Sequence, residues 1–540
     1  MARLELAQFY VANQFAYEAI GVLSVLESDL RADDLRKKTR LTRSIADTLA
    51  ARPADAMAIL SSANFSDEVD ALMWRTMVRT DLGDFVGART DALSSEGVIE
   101  SYPIWIRSRF LLSGARAAIE TQDFPMALRY LDEVEFAHLD PEQVTVYHLL
   151  QGRISEGENR ITEALDTYGQ VIAADIRPTR AEAVYRTLLL LDRAKRVDLA
   201  KATETLSAEI MLWRGNALEA DMQKLLAELY FRHKDYRLGF ETVKEAVAYY
   251  PENRSINALL AQAQDVFSDL YLNGRADELE PIDALSLYYD FRHLTPPGNR
   301  GDEMIRNLAR RLVKVDLLTQ AADLLEYQID SRLKGVAQAQ IAADLAVIRI
   351  AARDPEAALR ILNRTRLADL SPQLERQRRI LEARALIDAG RQEIAIDLLS
   401  RVTGKDADLL RVDGYWKSKN YTAASELLEM MLSPGQNNAP LETSQRMNVI
   451  KAAVGFALAG DKLALSRVRS KFSEQMAQTP EWAMFDFVTG DVTPTSIEFR
   501  KVAREISGLD SLNAFLESYR QVYATSDQVA PARAAAPAAA

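Results

Sequence analysis

The sequence has no cysteine among its 540 residues. This absence excludes disulfides, thiolate nucleophiles and zinc sites with sulfur ligands, and it suits export to an oxidising compartment. Histidine is scarce, and the four that occur lack metal-ligand spacing: His138, His148, His233 and His293. Neither a glycine-rich phosphate loop nor a Gly-x-Ser-x-Gly nucleophile motif is present. The sequence therefore predicts a chain without catalytic, metal or cofactor sites, that is, not an enzyme.

Long apolar runs are also missing, since none approaches the ~20 residues that a membrane helix requires. The first ten residues, MARLELAQFY, lack the basic and apolar regions of a signal peptide. The formal net charge of −12 opposes binding to phosphate backbones and to anionic membrane surfaces. We therefore expect no membrane insertion by this chain and no nucleic-acid partner.

Glycine and proline are sparse, at 22 and 17 residues, and they stand mostly between helical patterns rather than inside them. Runs of alternating β-branched residues, which would indicate strands, are nearly missing. The sequence therefore predicts an all-α protein.

What recurs along the chain is a spacing of small and large residues. A small residue is followed by a large one three positions later and by a second small one twelve positions after the first. Large or aliphatic residues follow the second small residue at four and seven positions. The clearest copy consists of Ala227, Tyr230, Gly239, Val243 and Ala246, closed by Pro251. Small side chains let two helices approach to about 8–10 Å. A period of roughly 34 residues with this spacing is typical of stacked helix pairs.

This pattern resembles the tetratricopeptide repeat (TPR) family over most of residues 3–480. The resemblance implies a superhelical α-solenoid of about 11–13 helix pairs that binds other proteins on the surface lined by the first helix of each pair. The segment 294–325 is also similar to the TPR-rich C-terminal part of large bacterial envelope proteins. That second similarity implies a periplasmic setting.

The pattern divides the chain into five parts. We expect an N-terminal solenoid over 1–272, an irregular break over 273–300 that contains Pro281 and Pro296-Pro297-Gly298, and a second solenoid over 301–480. A surface loop is expected at 433–440. Residues 481–524 are rich in aromatic side chains without the spacing and predict a closing helical cap. The Ala- and Pro-rich tail 525–540 is expected to be disordered.

The repeat begins almost at Met1, since Ala7 and Tyr10 already fit it. Solenoid ends normally carry a polar capping unit. We therefore expect that Met1 is not the natural start and that a longer exported precursor precedes it. This favours the periplasm over the alternative, the cytoplasm.

Cations occupy inward positions of several predicted first helices. In four units an arginine directly follows the small packing residue, and three further cations fall at other inward positions: Arg116, Arg153, Arg310 and Arg384, then Arg109, Lys224 and Arg306. A guanidinium at such a position suits an acidic partner segment or a terminal carboxylate. The alternative is that these cations pair with carboxylates of the neighbouring repeat and only stiffen the solenoid.

Three functions fit the sequence. The first is a scaffold that holds other proteins in a larger assembly, such as a flagellar motor or a secretion complex in a bacterial cell envelope. The second is an accessory or regulatory protein that binds a small or envelope-derived ligand at the break over 273–300. The third is a structural component that assembles with itself into a ring or filament.

Overall fold

The helical pattern predicted from the sequence is present in the structure, a computed structural model that describes residues 1–29, 33–432, 441–490, 496–507 and 511–523. Within these ranges the chain forms 29 α-helices and a few short 3₁₀ segments, with no β-strand. The loop expected at 433–440 and the tail expected over 525–540 lie outside the described residues. The chain divides into two compact units, Met1–Leu260 and Ala261–Ala540, and the boundary falls inside the helix Arg254–Leu272.

The first unit consists of consecutive helix pairs. In each pair two helices joined by a short turn pack on one another. The pairs are α1 (Ala2–Ala12) with α2 (Ala16–Asp29), α3 (Asp33–Leu49) with α4 (Pro53–Leu60), α5 (Val69–Asp81) with α6 (Phe85–Ser95), α7 (Ile104–Glu120) with α8 (Phe124–Asp132), α9 (Pro141–Gly157) with α10 (Ile161–Ala174), α11 (Thr179–Arg193) with α12 (Leu199–Leu212), and α13 (Asn216–His233) with α14 (Tyr236–Tyr249).

The second unit repeats this arrangement and adds three helices. Its pairs are α15 (Arg254–Leu272) with α16 (Pro281–Asp290), α17 (Asn299–Lys314) with α18 (Leu318–Ser331), α19 (Gly335–Ala351) with α20 (Pro355–Arg364), α21 (Pro372–Asp388) with α22 (Gln392–Leu399), α23 (Lys405–Lys417) with α24 (Tyr421–Met431), and α25 (Thr443–Ala459) with α26 (Lys462–Met476); α27 (Trp482–Thr489), α28 (Ile497–Ser507) and α29 (Ser511–Tyr523) follow. These pairs in the described residues confirm the predicted all-α architecture of repeated helix pairs.

The small residues of the spacing lie where the two helices of a pair cross. Ala227 and Ala246 are fully buried. Gly239 lies so close to the ring of Phe231 that a Cβ there would come within 2.5 Å of it. Large neighbours fill the space beside these contacts, as expected for helices that pack by interdigitating side chains. The sequence pattern therefore encodes the crossing points of the hairpins.

Every turn between the two helices of a pair holds one residue in the left-handed region, with φ between 55° and 80°. Four of these residues are glycine and the others carry side chains: Gly83, Gly274, Gly390 and Gly460, then Gln14, Ala51, Gln122, Asn159, Lys195, Lys234, Asp316, Arg353 and Lys419. In five pairs the next residue is Asp or Asn and accepts a hydrogen bond from the backbone N–H three residues on: Asp84, Asp123, Asp354, Asn420 and Asp461. This N-cap starts the second helix.

Arginines join one pair to the next at the end of a second helix. The guanidinium of Arg180 on α11 donates to the carbonyl of Ile172 at 2.7 Å, that of Arg378 on α21 to Leu362 at 2.7 Å, and that of Arg411 on α23 to Leu399 at 2.6 Å. The last carbonyls of a helix have no partner within the helix, and a cation there also interacts well with the helix dipole. Each of these first helices thus completes the end of the helix before it.

The segment 273–300 is more regular than the sequence led us to expect. It contains the ten-residue helix α16 between two short 3₁₀ segments. The hydroxyl of Tyr271 donates to the carbonyl of Ala284 at 2.8 Å, and the rings of Phe267 and Tyr288 stack at 6.1 Å. These aromatic contacts hold α16 against α15. Pro281 begins α16, and Pro296-Pro297 stand just before α17, so the prolines mark helix starts.

The described helices of the predicted cap over 481–524 pack on two different surfaces. Helices α27 and α28 cover the apolar surface of α25 and α26 with Phe485, Val488, Phe499 and Ile506. Helix α29 does not join them in this layer, because it packs instead on α23 and α21, which precede the cap in the sequence. Its position brings it into contact with Arg384, one of the inward cations.

Candidate functional site

All seven cations predicted to bind a partner lie on first helices. Arg109 and Arg116 are on α7, Arg153 on α9 and Lys224 on α13, in the first unit; Arg306 and Arg310 are on α17 and Arg384 on α21, in the second.

Two cations of the first unit are engaged with carboxylates of other helix pairs. Arg153 is only 7% exposed, and its Nη1 lies 2.9 Å from Glu120 Oε1 and 3.0 Å from Glu182 Oε1. Arg116 reaches the other oxygen of Glu182 at 3.1 Å. Burial alone would raise the pKa of Glu182, but the charges of Arg116, Arg153 and Arg186 hold it below its ordinary value. This cluster links α7, α9 and α11. It agrees with the alternative in which these cations pair with carboxylates of the solenoid itself and stiffen it.

Two other cations of the first unit form no ion pair with any described residue. Arg109 is exposed, with its guanidinium 5.8 Å from the centre of the Trp105 ring. Lys224 is half-buried, and its charge counteracts the rise that burial causes in the pKa of Asp221 and of Glu228 on the same helix. These two cations remain the candidates for partner contact in this unit.

In the second unit, Arg306 and Arg310 flank a buried carboxyl. Asp344 on α19 is 4% exposed, and burial raises its pKa to about 8 although the positive charges of Arg306 and Arg310 oppose the rise. Arg310 also donates to Asn307 Oδ1 at 2.9 Å. A carboxyl with this pKa is largely protonated at neutral pH, so Asp344 is a neutral group in a basic surrounding.

Arg384 is enclosed by groups of its own unit, with 2% of its surface exposed. It donates to both oxygens of Asp388 at 2.8 and 3.0 Å and to Asp413 Oδ2 at 3.1 Å. The same guanidinium donates to the carbonyl of Ser511 at 3.2 Å and lies 5.3 Å from the centre of the Phe515 ring. Ser511 and Phe515 belong to α29. A predicted partner-binding cation is thus in contact with a helix that occupies the predicted binding face.

We call the surface that holds α29 the helix-receiving surface, and define it by Arg376, Gln377 and Arg384 on α21 and by Asp406 and Asp413 on α23. The hydroxyl of Tyr519 accepts a hydrogen bond from Gln377 Nε2 at 2.6 Å. The hydroxyl of Tyr523 donates to Asp406 Oδ2 at 2.9 Å, and the guanidinium of Arg376 lies 5.5 Å from the centre of the same ring. Asp344 of the adjacent first helix α19 is near enough for its charge to contribute to the raised pKa of Tyr519, although burial is the larger cause.

Helix α29 is amphipathic, and it meets this surface with one face. The buried side chains are Leu512, Phe515, Leu516, Tyr519 and Tyr523, which recur at helical spacing. Sequence reasoning assigned these residues to a closing cap and missed their partner surface. The available signal was the aromatic series 515, 519 and 523, whose spacing of four places all three rings on one helix face.

A second candidate site is the cavity of about 630 Å³ beside the segment 273–300. Its lining includes three cations, Arg310, Arg311 and Lys314, and three acids, Asp277, Glu278 and Glu280. Arg311 donates to the backbone carbonyls of Ala276 and Leu279 and so holds the segment in place. Because the charges balance, this cavity does not select an anionic ligand.

The described residues contain no group of three or more His, Asp or Glu side chains arranged to hold a metal ion. No helix among them combines the length and the apolar character needed to cross a membrane.

The structure defines this chain as an all-α protein of consecutive helical hairpins. No protein-family model matches it, and no curated protein sequence does so either. Among solved structures, it is similar to the structure of Naa15/Naa10 bound to HypK-THB, with 11% identity over 96% of this chain and 80% of that chain and a TM-score of 0.25. It is also similar to the APC/C hetero-tetramer Cut9-Hcn1, with 11% identity over 90% of this chain and 94% of that chain and a TM-score of 0.26.

Proposed function

We propose that this chain is a non-catalytic scaffold of the TPR type, whose first helices bind segments of other proteins. One observation carries the proposal: the first helices α21 and α23 already hold an amphipathic helix, α29, by burying its apolar face and by hydrogen bonds to its hydroxyls. Burial of an amphipathic helix in a groove is a common mode of peptide recognition. Repeated helix pairs present several such faces along one chain.

Cations without an ion pair indicate where further partners bind. Arg109 and Lys224 in the first unit, and Arg306 in the second, lie on first helices and form no ion pair within the described residues. An acidic segment of a partner would supply the missing counter-charge. Arg116 and Arg153 are unsuitable for this role because Glu120 and Glu182 already engage them.

Site-specific photo-crosslinking in the cells that express the chain tests this proposal. A photoreactive residue replaces Arg109, Lys224 or Arg306 on the first helices, and Leu463 or Ile394, which are exposed on second helices, in the controls. We expect discrete adducts with other proteins from the first-helix positions and none from the controls. Equal adducts from both sets, or none from the first helices, would contradict a first-helix scaffold.

The setting we propose is a bacterial cell-envelope assembly, such as a flagellar motor or a secretion complex. Support comes from the similarity of residues 294–325 to TPR-rich envelope proteins and from the lack of cysteine. Fractionation of the host cells, with marker proteins of each compartment, distinguishes the periplasm from the cytoplasm. Recovery in the cytoplasmic fraction alone would reject the envelope setting and leave the scaffold proposal intact.

A further inference from the structure

We propose that the helix-receiving surface is a binding site for an amphipathic helix of another protein, and that α29 is an internal occupant which this helix displaces. The inference rests on the proposed scaffold function and specifies one of its partners by chemistry. It concerns only the second unit, whereas the crosslinking test above also examines Arg109 and Lys224 of the first unit.

The contacts of α29 define what the surface recognises. Arg384 lies over the ring of Phe515, and Arg376 lies over the ring of Tyr523, at distances typical of cation–π pairs. Gln377 and Asp406 bind the hydroxyls of Tyr519 and Tyr523. A matching partner helix therefore carries aromatic residues at positions i, i+4 and i+8, with tyrosine at the last two.

The site of Tyr523 is the most specific part of this surface. One side chain, Arg376, contacts the face of the ring and also donates to Asp406 Oδ1 at 2.5 Å, while Asp406 Oδ2 accepts the hydroxyl of Tyr523. Phenylalanine would fill the same space but would leave Asp406 with one hydrogen bond fewer. A hydrogen bond to a charged group is among the stronger ones in proteins, so the surface distinguishes tyrosine from phenylalanine.

The surface keeps its own charge pairs when α29 leaves. Arg384 retains Asp388 and Asp413, and Asp406 retains Arg376. Removal of α29 therefore leaves neither Arg384 nor Asp406 buried without an opposite charge, which is the costly outcome in a protein interior. A competing helix has to replace the apolar contacts, the cation–π contacts and the hydrogen bonds of α29, but it has no ion pair to replace. This arrangement favours exchange of one helix for another.

The length of the connection favours a different protein over a second copy of this chain. Only residues 508–510 separate α28 from α29, and α28 packs on α25. Such a connection spans at most ~15 Å. An α29 that is tethered this closely reaches the surface of a second copy only if the two copies are packed together, whereas the helix of a separate partner has no such limit.

A binding measurement with the full-length chain tests the proposal. The probe is a fluorescent peptide with the sequence of residues 508–525. Three forms of the chain are compared: the parent, the double variant Phe515→Asp/Tyr519→Asp, which detaches α29, and Ala514→Asp, which places a single aspartate on the exposed face of α29. We expect the double variant to bind the peptide at least about tenfold more tightly than the other two. A peptide with Tyr523→Phe should bind more weakly.

Three outcomes would overturn the proposal. Equal binding by all forms would show that α29 does not compete for the surface. No binding by the double variant, with circular dichroism and melting like those of the parent, would make α29 a purely structural element. A dimer of the double variant in solution would assign the surface to a second copy. In each case, crosslinks from Arg109 and Lys224 would still support the scaffold function.

Discussion

Gly152 of α9 lies directly against the ring of Tyr168 of α10: a methyl group on Gly152 would come within 2.5 Å of Cε1 of that ring. Tyr168 cannot move away easily, because it is fully buried and its hydroxyl donates to Glu156 Oε2 at 2.7 Å. The crossing of these two helices therefore requires a residue without a side chain.

We expect Gly152→Ala to lower the free energy of unfolding by about 1–3 kcal/mol, since it overpacks a helix crossing. The matched control is Gly169→Ala on the exposed face of α10, where a methyl group meets no atom within 4 Å. This control should stabilise the helix by about 0.5–1 kcal/mol. Thermal melts followed by circular dichroism measure both, and changes of the same sign would contradict the packing described here.

The buried ion cluster of the first unit predicts unequal roles for two arginines. Arg153→Ala removes the donor shared by Glu120 and Glu182 and should cost about 2–4 kcal/mol of stability, because buried carboxylates lose part of their compensation. Arg109→Ala removes an exposed cation and should change stability by less than about 0.5 kcal/mol. Denaturant unfolding of both variants checks this. A large loss for Arg109→Ala would make it structural rather than available to a partner.

The left-handed residues in the turns predict that an alanine-to-glycine substitution has opposite effects on stability at Ala51 and at Ala58. Ala51 has φ of 55°, where a Cβ is unfavourable, so Ala51→Gly should raise stability by about 0.5–1 kcal/mol. Ala58 is exposed within α4, and Ala58→Gly should lower stability by about 1 kcal/mol. Melting temperatures of the two variants should therefore move in opposite directions. Melting temperatures that move in the same direction would contradict the left-handed conformation of Ala51.

Asp344 predicts a pH dependence of stability. Its pKa is about 8 in the folded chain and ~3.9 in an unfolded one, so between these values the folded state holds a proton that the unfolded state has released. The free energy of unfolding therefore falls as pH rises through this window and is level above it.

Asp344→Asn replaces the protonated carboxyl with a neutral group of similar shape and removes this slope. As the pH rises from about 5 to about 8, the free energy of unfolding of the variant should increase by at least about 1 kcal/mol relative to that of the parent. The exposed Asp265→Asn controls for the loss of one negative charge. An advantage of Asp344→Asn that does not grow with pH would show that Asp344 is ionised in the folded chain.

The repeated hairpins could be predicted from the sequence because their contacts are local. Small residues such as Ala227 and Gly239 mark a crossing between two helices that follow one another, so the spacing itself records the packing. The position of α29 could not be predicted in this way. Tyr519 and Tyr523 contact Gln377 and Asp406, which lie 142 and 117 residues earlier in the chain. No short-range pattern carries that pairing.

The candidate site shows the same division. The spacing placed Arg116, Arg153 and Arg384 on first helices, where the structure has them. Their partners were beyond sequence reasoning, because a guanidinium is suited equally to a carboxylate of the next repeat or to one of another protein. Arg153 and Arg384 are held within the chain, whereas Arg109 is not. Only the surrounding side chains distinguish these cases.

The arginines that bind the last carbonyls of a preceding helix determine where the chain can be shortened. A truncation after α20 or α22 removes Arg378 or Arg411, the side-chain donor to the carbonyl of Leu362 or Leu399. A truncation one helix later retains that donor. Fragments for expression should therefore end after a first helix rather than after a complete pair, so the practical unit of this protein is three helices long.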